Sequence, residues 1–113
     1  MMLNKELIAA SSTPLILSIL AEGESYGYEI IQRISALSGD EITWSEGMLY
    51  PVLHRLEKDE LVTSEWKVME TGRRRKYYRL NNKGMIAMQE EKKQWGIVNN
   101  TLAKLWKESY AQS

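Results

Sequence analysis

The chain contains no cysteine, no phenylalanine, two prolines and a single histidine. Without cysteine there is no disulfide framework and no thiolate metal site, and an intracellular, cytoplasmic setting is permitted. One histidine leaves no cluster for zinc and no nucleophile–base pair. No apolar run approaches the ~18 residues a membrane span needs, so no membrane partner is expected. The opening MMLNKELIAASS has no long apolar centre followed by a small-residue cleavage site, which makes it a poor signal peptide. No carboxylate pair, nucleophile constellation or glycine-rich phosphate loop is readable, so the sequence points to no enzyme and asks for no cofactor. Positive charge is not in general excess either: 15 basic and 15 acidic residues cancel over 113 positions, a length suited to one modest core.

What the chain does have is concentrated between Ser45 and Leu80. Leu49, Val52, Leu53 and Leu56 follow an i, i+3, i+4, i+7 spacing, which predicts a helix with one apolar stripe. Ser45 is placed to cap it, and Glu46 suits the positive end of its dipole. Glu46, Gly47, Tyr50 and His54 fall on the opposite, outward face. Pro51 lies inside this helix and removes one backbone hydrogen bond. Val62, Ser64, Trp66 and Val68 then alternate with polar residues, the period of a strand with one buried face. After Gly72 the segment Lys76-Tyr77-Tyr78-Arg79-Leu80 reads as the return strand. Between Thr71 and Lys83 stand six cations, Arg73, Arg74, Arg75, Lys76, Arg79 and Lys83, and no acid. A capped helix followed by a hairpin with a cationic tip is the pattern of a winged helix-turn-helix, in which the helix enters a major groove and the hairpin reaches the backbone. A charge run alone fits a solvated turn as well.

The rest of the chain supplies a frame. Thr13-Pro14 predicts the start of a fresh helix over residues 15–21, with a break near Pro14 that leaves residues 1–13 as a separate segment destined for a partner surface. Ser25-Tyr26-Gly27-Tyr28 opens a second helix that runs to Gly39, with Ile30, Ile34 and Leu37 as its buried face. Its N-terminus and the Tyr26 hydroxyl suit a phosphate, although Tyr26 and Tyr28 fit packing equally. Ile42-Thr43-Trp44 reads as an extended link able to pair with the wing. From Gly84 to about Lys107 the pattern is one long helix in which Met88, Trp95 and Leu102, then Val98 and Leu105, recur at seven, a coiled-coil seam that predicts dimerisation. A helix that only caps its own core is the other reading. The expected fold is therefore mainly α with a small β-hairpin, an α+β class. A winged helix-turn-helix domain occupies residues 1–82 and a dimerisation helix residues 83–113.

Three blocks, LAEGESYGYEI, SEGMLYPVLHRLEKDELV and GRRRKYYRLNNKG, occur in that order over roughly residues 15–84. Together they resemble the PadR family of bacterial transcriptional regulators, in particular its small, multidrug-sensing LmrR-type members with a single C-terminal helix. The resemblance implies a homodimeric repressor of double-stranded operator DNA. In such a dimer the N-terminal segment, Leu7 included, packs on the C-terminal helix of the other copy. It also implies that Trp95 of each copy flanks a site for a small hydrophobic or planar aromatic effector, where spacing alone makes Trp95 an interface residue. Under this reading base edges are contacted from Glu46, Gly47, Tyr50 and His54, with Ser45 and Tyr26 beside them. The backbone is contacted from Arg73, Arg74, Arg75 and Lys76. Arg55 and Lys58 are explained equally by the helix dipole. Two positions depart from the family: Glu60 stands where glycine is usual, at a turn that tends to need a left-handed backbone, and Gly47-Met48 replaces a small residue and leucine. A winged-helix module that binds an acidic protein instead of DNA is the alternative.

Overall fold

The computed structural model describes residues 3–107. Its elements are α1 (Lys5–Ala21), β1 (Ser25–Tyr26), α2 (Gly27–Leu37), α3 (Glu46–Lys58), β2 (Val62–Val68), β3 (Arg74–Leu80) and α4 (Asn82–Trp106). Four helices surround a three-stranded antiparallel sheet of order β1-β3-β2, the α+β class expected.

The core forms where the apolar stripes of three helices meet the base of the sheet. Ile16, Leu17 and Leu20 of α1, Ile30 and Ile34 of α2, and Leu49, Leu53 and Leu56 of α3 are buried against Val62 and Tyr78. Ser45 caps α3 as expected, its Oγ accepting from the Met48 N–H at 3.3 Å. Glu60 has φ 62°, so the turn after α3 does adopt the left-handed backbone that costs a non-glycine residue about 1 kcal/mol. Its carbonyl accepts from Asn81 Nδ2 at 2.6 Å.

Four expectations need correction. The chain does not break at Pro14: α1 runs unbroken through it, capped not by Thr13 but by Asn4, whose Oδ1 accepts from the Glu6 and Leu7 N–H groups. Ser11 and Ser12 are mid-helix and bond back to carbonyls three and four residues earlier, a use of serine that looks like a start signal in sequence. Leu37 is not part of the α2 stripe; at 70% exposure it lies past the end of the core. The third strand is Ser25–Tyr26, paired with Tyr78 and Tyr77, and not the Ile42–Trp44 link. Finally, the buried face of β2 stops early: Val62 is buried, but Trp66 and Val68 are exposed, because the hairpin extends beyond the core that its base covers.

Helix α4 starts at Asn82, two residues before Gly84, with Asn81 Oδ1 accepting from the Gly84 N–H at 2.7 Å. Gly84 is buried because the helix passes close over the Leu61 carbonyl, leaving no room for a side chain. Ala87 and Met88 then pack on the core, and α4 runs on beside α1. The end of the expected 83–113 segment, from 108 onward, lies outside the described residues.

Candidate nucleic-acid interface

The hairpin base is fixed by burial, and its tip is free to serve as a wing. In the β2–β3 register Trp66 stands opposite Lys76 and Val68 opposite Arg74. A groove of about 660 Å³ opens between this overhang and the outer face of α3. Of the expected DNA-contacting residues, the structure brings eight into its lining: Tyr26, Glu46, Tyr50, His54, Arg73, Arg74, Arg75 and Lys76. Ser45 and Gly47 are exposed at the start of α3 but lie outside the groove lining. Gly27, Tyr28, Trp66 and Tyr78 line it too, and the sequence reading assigned none of them to a site. Only the length of the hairpin relative to its apolar base could have pointed to Trp66.

The groove joins a polar helix face to a cationic wall. Tyr50 lies over the first residue of α2, so that a side chain at Gly27 would meet its hydroxyl at 2.5 Å. Burial, and secondarily the Glu46 carboxylate, raise the Tyr50 pKa, so its hydroxyl stays protonated and can donate. The ring centroids of Tyr50 and His54 are 6.3 Å apart, one turn along the same face. Across the groove Arg74 sits 4.8 Å over Trp66 and Arg75 4.4 Å over Tyr26. Such stacking holds a guanidinium in place without neutralising it.

Pairing decides which cations are free. Among the described residues Arg33 is paired with Glu22, Lys67 with Glu24, and Lys76 lies 4.0 Å from Glu57. Arg73, Arg74 and Arg75 make no ion pair among them. Glu57 is itself anchored by the Ser64 hydroxyl, which donates to it. Tyr78, behind Lys76, is 1% exposed with no hydrogen-bond partner for its hydroxyl among the described residues, and burial pushes its pKa up to about 12. The described residues include no group of three or more His, Cys, Asp or Glu able to hold a metal ion, and no helix among them is long and apolar enough to cross a membrane.

The expected dimer residues divide. Met88 packs on its own core, Trp95 and Leu102 are half-buried, and Leu7, Val98 and Leu105 are exposed. Met85, Ile86, Ile97 and Trp106 add further exposed apolar surface along α4. A second groove, of about 510 Å³, lies between α1 and α3 and includes Ile8, Trp44, Met48 and Val52.

Known proteins share this arrangement. A sequence model of the transcriptional regulator PadR-like family matches residues 16–90. Rv3488, a transcriptional regulator of Mycobacterium tuberculosis, is 40% identical over 78 residues, covering 69% of this chain and 69% of that protein. A PadR-like transcriptional regulator from Bacillus cereus superposes with a TM-score of 0.80 at 30% identity over 93% of this chain and all 100% of that one. A transcriptional regulator from Clostridium thermocellum gives 0.79 at 32% identity over 88% and 97% of the two chains. With helix face, wing and sequence in agreement, the chain belongs to the PadR-like family of transcriptional regulators, DNA-binding proteins rather than enzymes.

Proposed function

We propose that the protein is a cytoplasmic homodimeric repressor whose two copies join along α4 and bind an imperfectly palindromic operator. Each copy lays α3 in a major groove, with half-sites about one helical turn (~34 Å) apart, and sets its wing on the flanking backbone. The observation that carries this reading is the α3–wing groove, with its polar helix face opposite three unpaired arginines. Dimerisation is supported by the row of exposed apolar side chains on α4, more than a monomer needs to leave in water. Release by a small, planar aromatic effector at the dimer interface is supported by Trp95, half-buried midway along that helix, where two indoles brought together would clamp a flat ring.

A salt series of DNA titrations tests the proposal, using DNA from upstream of the protein's own gene and a scrambled duplex. Three arginines per wing give Z of about 6 per dimer, so log affinity should fall with log salt at a slope near −5. Counting Lys76 as free would give about −7, and its proximity to Glu57 argues for the smaller value. A steep slope with preference for the upstream duplex supports the reading. A shallow slope with no preference overturns operator binding for that DNA and favours a winged-helix module that binds an acidic protein.

A further inference from the structure

The wing holds an apolar surface that charge does not account for. Trp66 is 56% exposed and Val68 71% exposed, at the outer end of β2. Cross-strand pairing puts both on the same face as Lys76 and Arg74. At its base that face is core, through Val62 and Tyr78; farther out, Trp66 forms part of the groove wall with the Arg74 guanidinium 4.8 Å over its ring. An indole left more than half open beside unpaired guanidinium groups fits a surface that is apolar and anionic by turns. The sugar–phosphate backbone of duplex DNA is such a surface, because the faces of its deoxyribose rings are apolar and its phosphates are charged.

We propose that Trp66, with Val68 beside it, packs on the deoxyribose faces of the strand the wing follows, while Arg74, stacked on the indole, takes the adjoining phosphate. The inference rests on the DNA-binding reading above and adds to it a contact that salt does not weaken. Burying about 60 Å² of indole against sugar would contribute a factor of about ten in affinity per wing.

Operator titrations of the full chain in a salt series, comparing wild type with Trp66→Ala, Trp66→Phe and Arg74→Ala, decide the matter. Circular dichroism checks that each variant is folded, which the exposure of Trp66 favours. The expected result is that Trp66→Ala binds at least tenfold more weakly at every salt concentration with the slope unchanged. Trp66→Phe should recover most of the loss, and Arg74→Ala should make the slope shallower by about 2 per dimer. If Trp66→Ala binds within twofold of wild type, the sugar contact is overturned while DNA binding stands. If its slope falls as in Arg74→Ala, the indole only positions the arginine, and the direct contact is again overturned. If wild type itself shows no salt-steep binding to any duplex, the DNA reading fails and the contact fails with it.

Discussion

Replacing Gly84 with alanine tests the close approach of α4 to the Leu61 carbonyl. A methyl group there overlaps the Leu61 carbonyl oxygen and comes within 3.0 Å of both the Leu61 carbonyl carbon and Leu80 Cδ2. The oxygen belongs to backbone in the short link between α3 and β2, and it already accepts from the Asn81 N–H at 3.2 Å. It cannot swing aside as a side chain would, so α4 must lift. Overpacking of this kind costs about 1–3 kcal/mol or more, against which alanine regains about 1 kcal/mol of helix propensity. The rigid neighbour puts the cost at the upper end of that range, so the expected net loss is about 2 kcal/mol, or roughly 8–10 °C in Tm for a chain of this size. Gly96 is an internal control, since nothing lies within 4 Å of a Cβ built there. Gly96→Ala should stabilise by up to about 1 kcal/mol. Urea and thermal unfolding at one fixed protomer concentration would measure both. A Gly84→Ala protein as stable as wild type would refute the reasoning, because α4 would then not be seated on Leu61.

Three other outcomes are expected. Glu60→Gly should stabilise by about 1 kcal/mol in urea unfolding by relieving the left-handed strain at φ 62°. The Tyr78 pKa lies near 12 in the folded protein, above the ordinary value of 10.0. The unfolded chain therefore gives up that proton first as pH rises from about 10. Stability is full below that point and falls by roughly 2–3 kcal/mol by pH 12. Unfolding followed across this range should show that loss in wild type and a smaller one in Tyr78→Phe, which also removes the unpartnered buried hydroxyl and should be no less stable at pH 7. Ser45→Ala should cost about 1 kcal/mol through loss of the α3 cap, read by thermal unfolding.

Local chemistry carried through wherever a residue's role is decided by its neighbours in sequence. The α3 stripe and its Ser45 cap depend on spacing and backbone geometry within one element, and each stands where those rules put it, whereas the left-handed turn at Glu60 is expected from the family resemblance alone. The misreadings have the opposite origin. Ser11, Ser12, Thr13 and Pro14 resemble a helix start, but residues on both sides pack against the same body, Ile8 at the edge of the core and Ile16 at its centre. Tertiary contact therefore carries the helix through the proline. Leu37 and Trp66 keep the right period and still lie in water, because periodicity gives the face of an element and not how far the core extends along it. The same gap concealed a third of the groove lining, four residues of twelve. The groove could be foreseen from the basic tip and the polar helix face, but its aromatic wall depends on how far the hairpin overhangs α3, a length that no local pattern records.

A neutral chain with a cationic wing also constrains how recognition can work. Net charge near zero gives little long-range pull toward a polyanion, so encounter is steered only once the wing is within about a Debye length, ~8–10 Å. The acids reinforce this. Glu22 and Glu24 neutralise Arg33 and Lys67, and Glu57 lies against Lys76, which leaves Arg73, Arg74 and Arg75 as the groove-lining cations without an ion pair among the described residues. If these arginines meet phosphates as proposed, three point contacts per wing would fix register without supplying large affinity for arbitrary DNA. On the proposed reading, discrimination would be left to Glu46, Tyr50 and His54 in the groove, where the carboxylate would accept from a cytosine amino group and be repelled by a misplaced phosphate. Raising the net charge elsewhere, for example by Glu90→Lys on the exposed surface of α4, should therefore increase binding to scrambled DNA more than binding to an operator. Competition between the two duplexes at fixed salt would read the loss of selectivity, and an equal gain for both would show that selectivity does not depend on the confinement of charge.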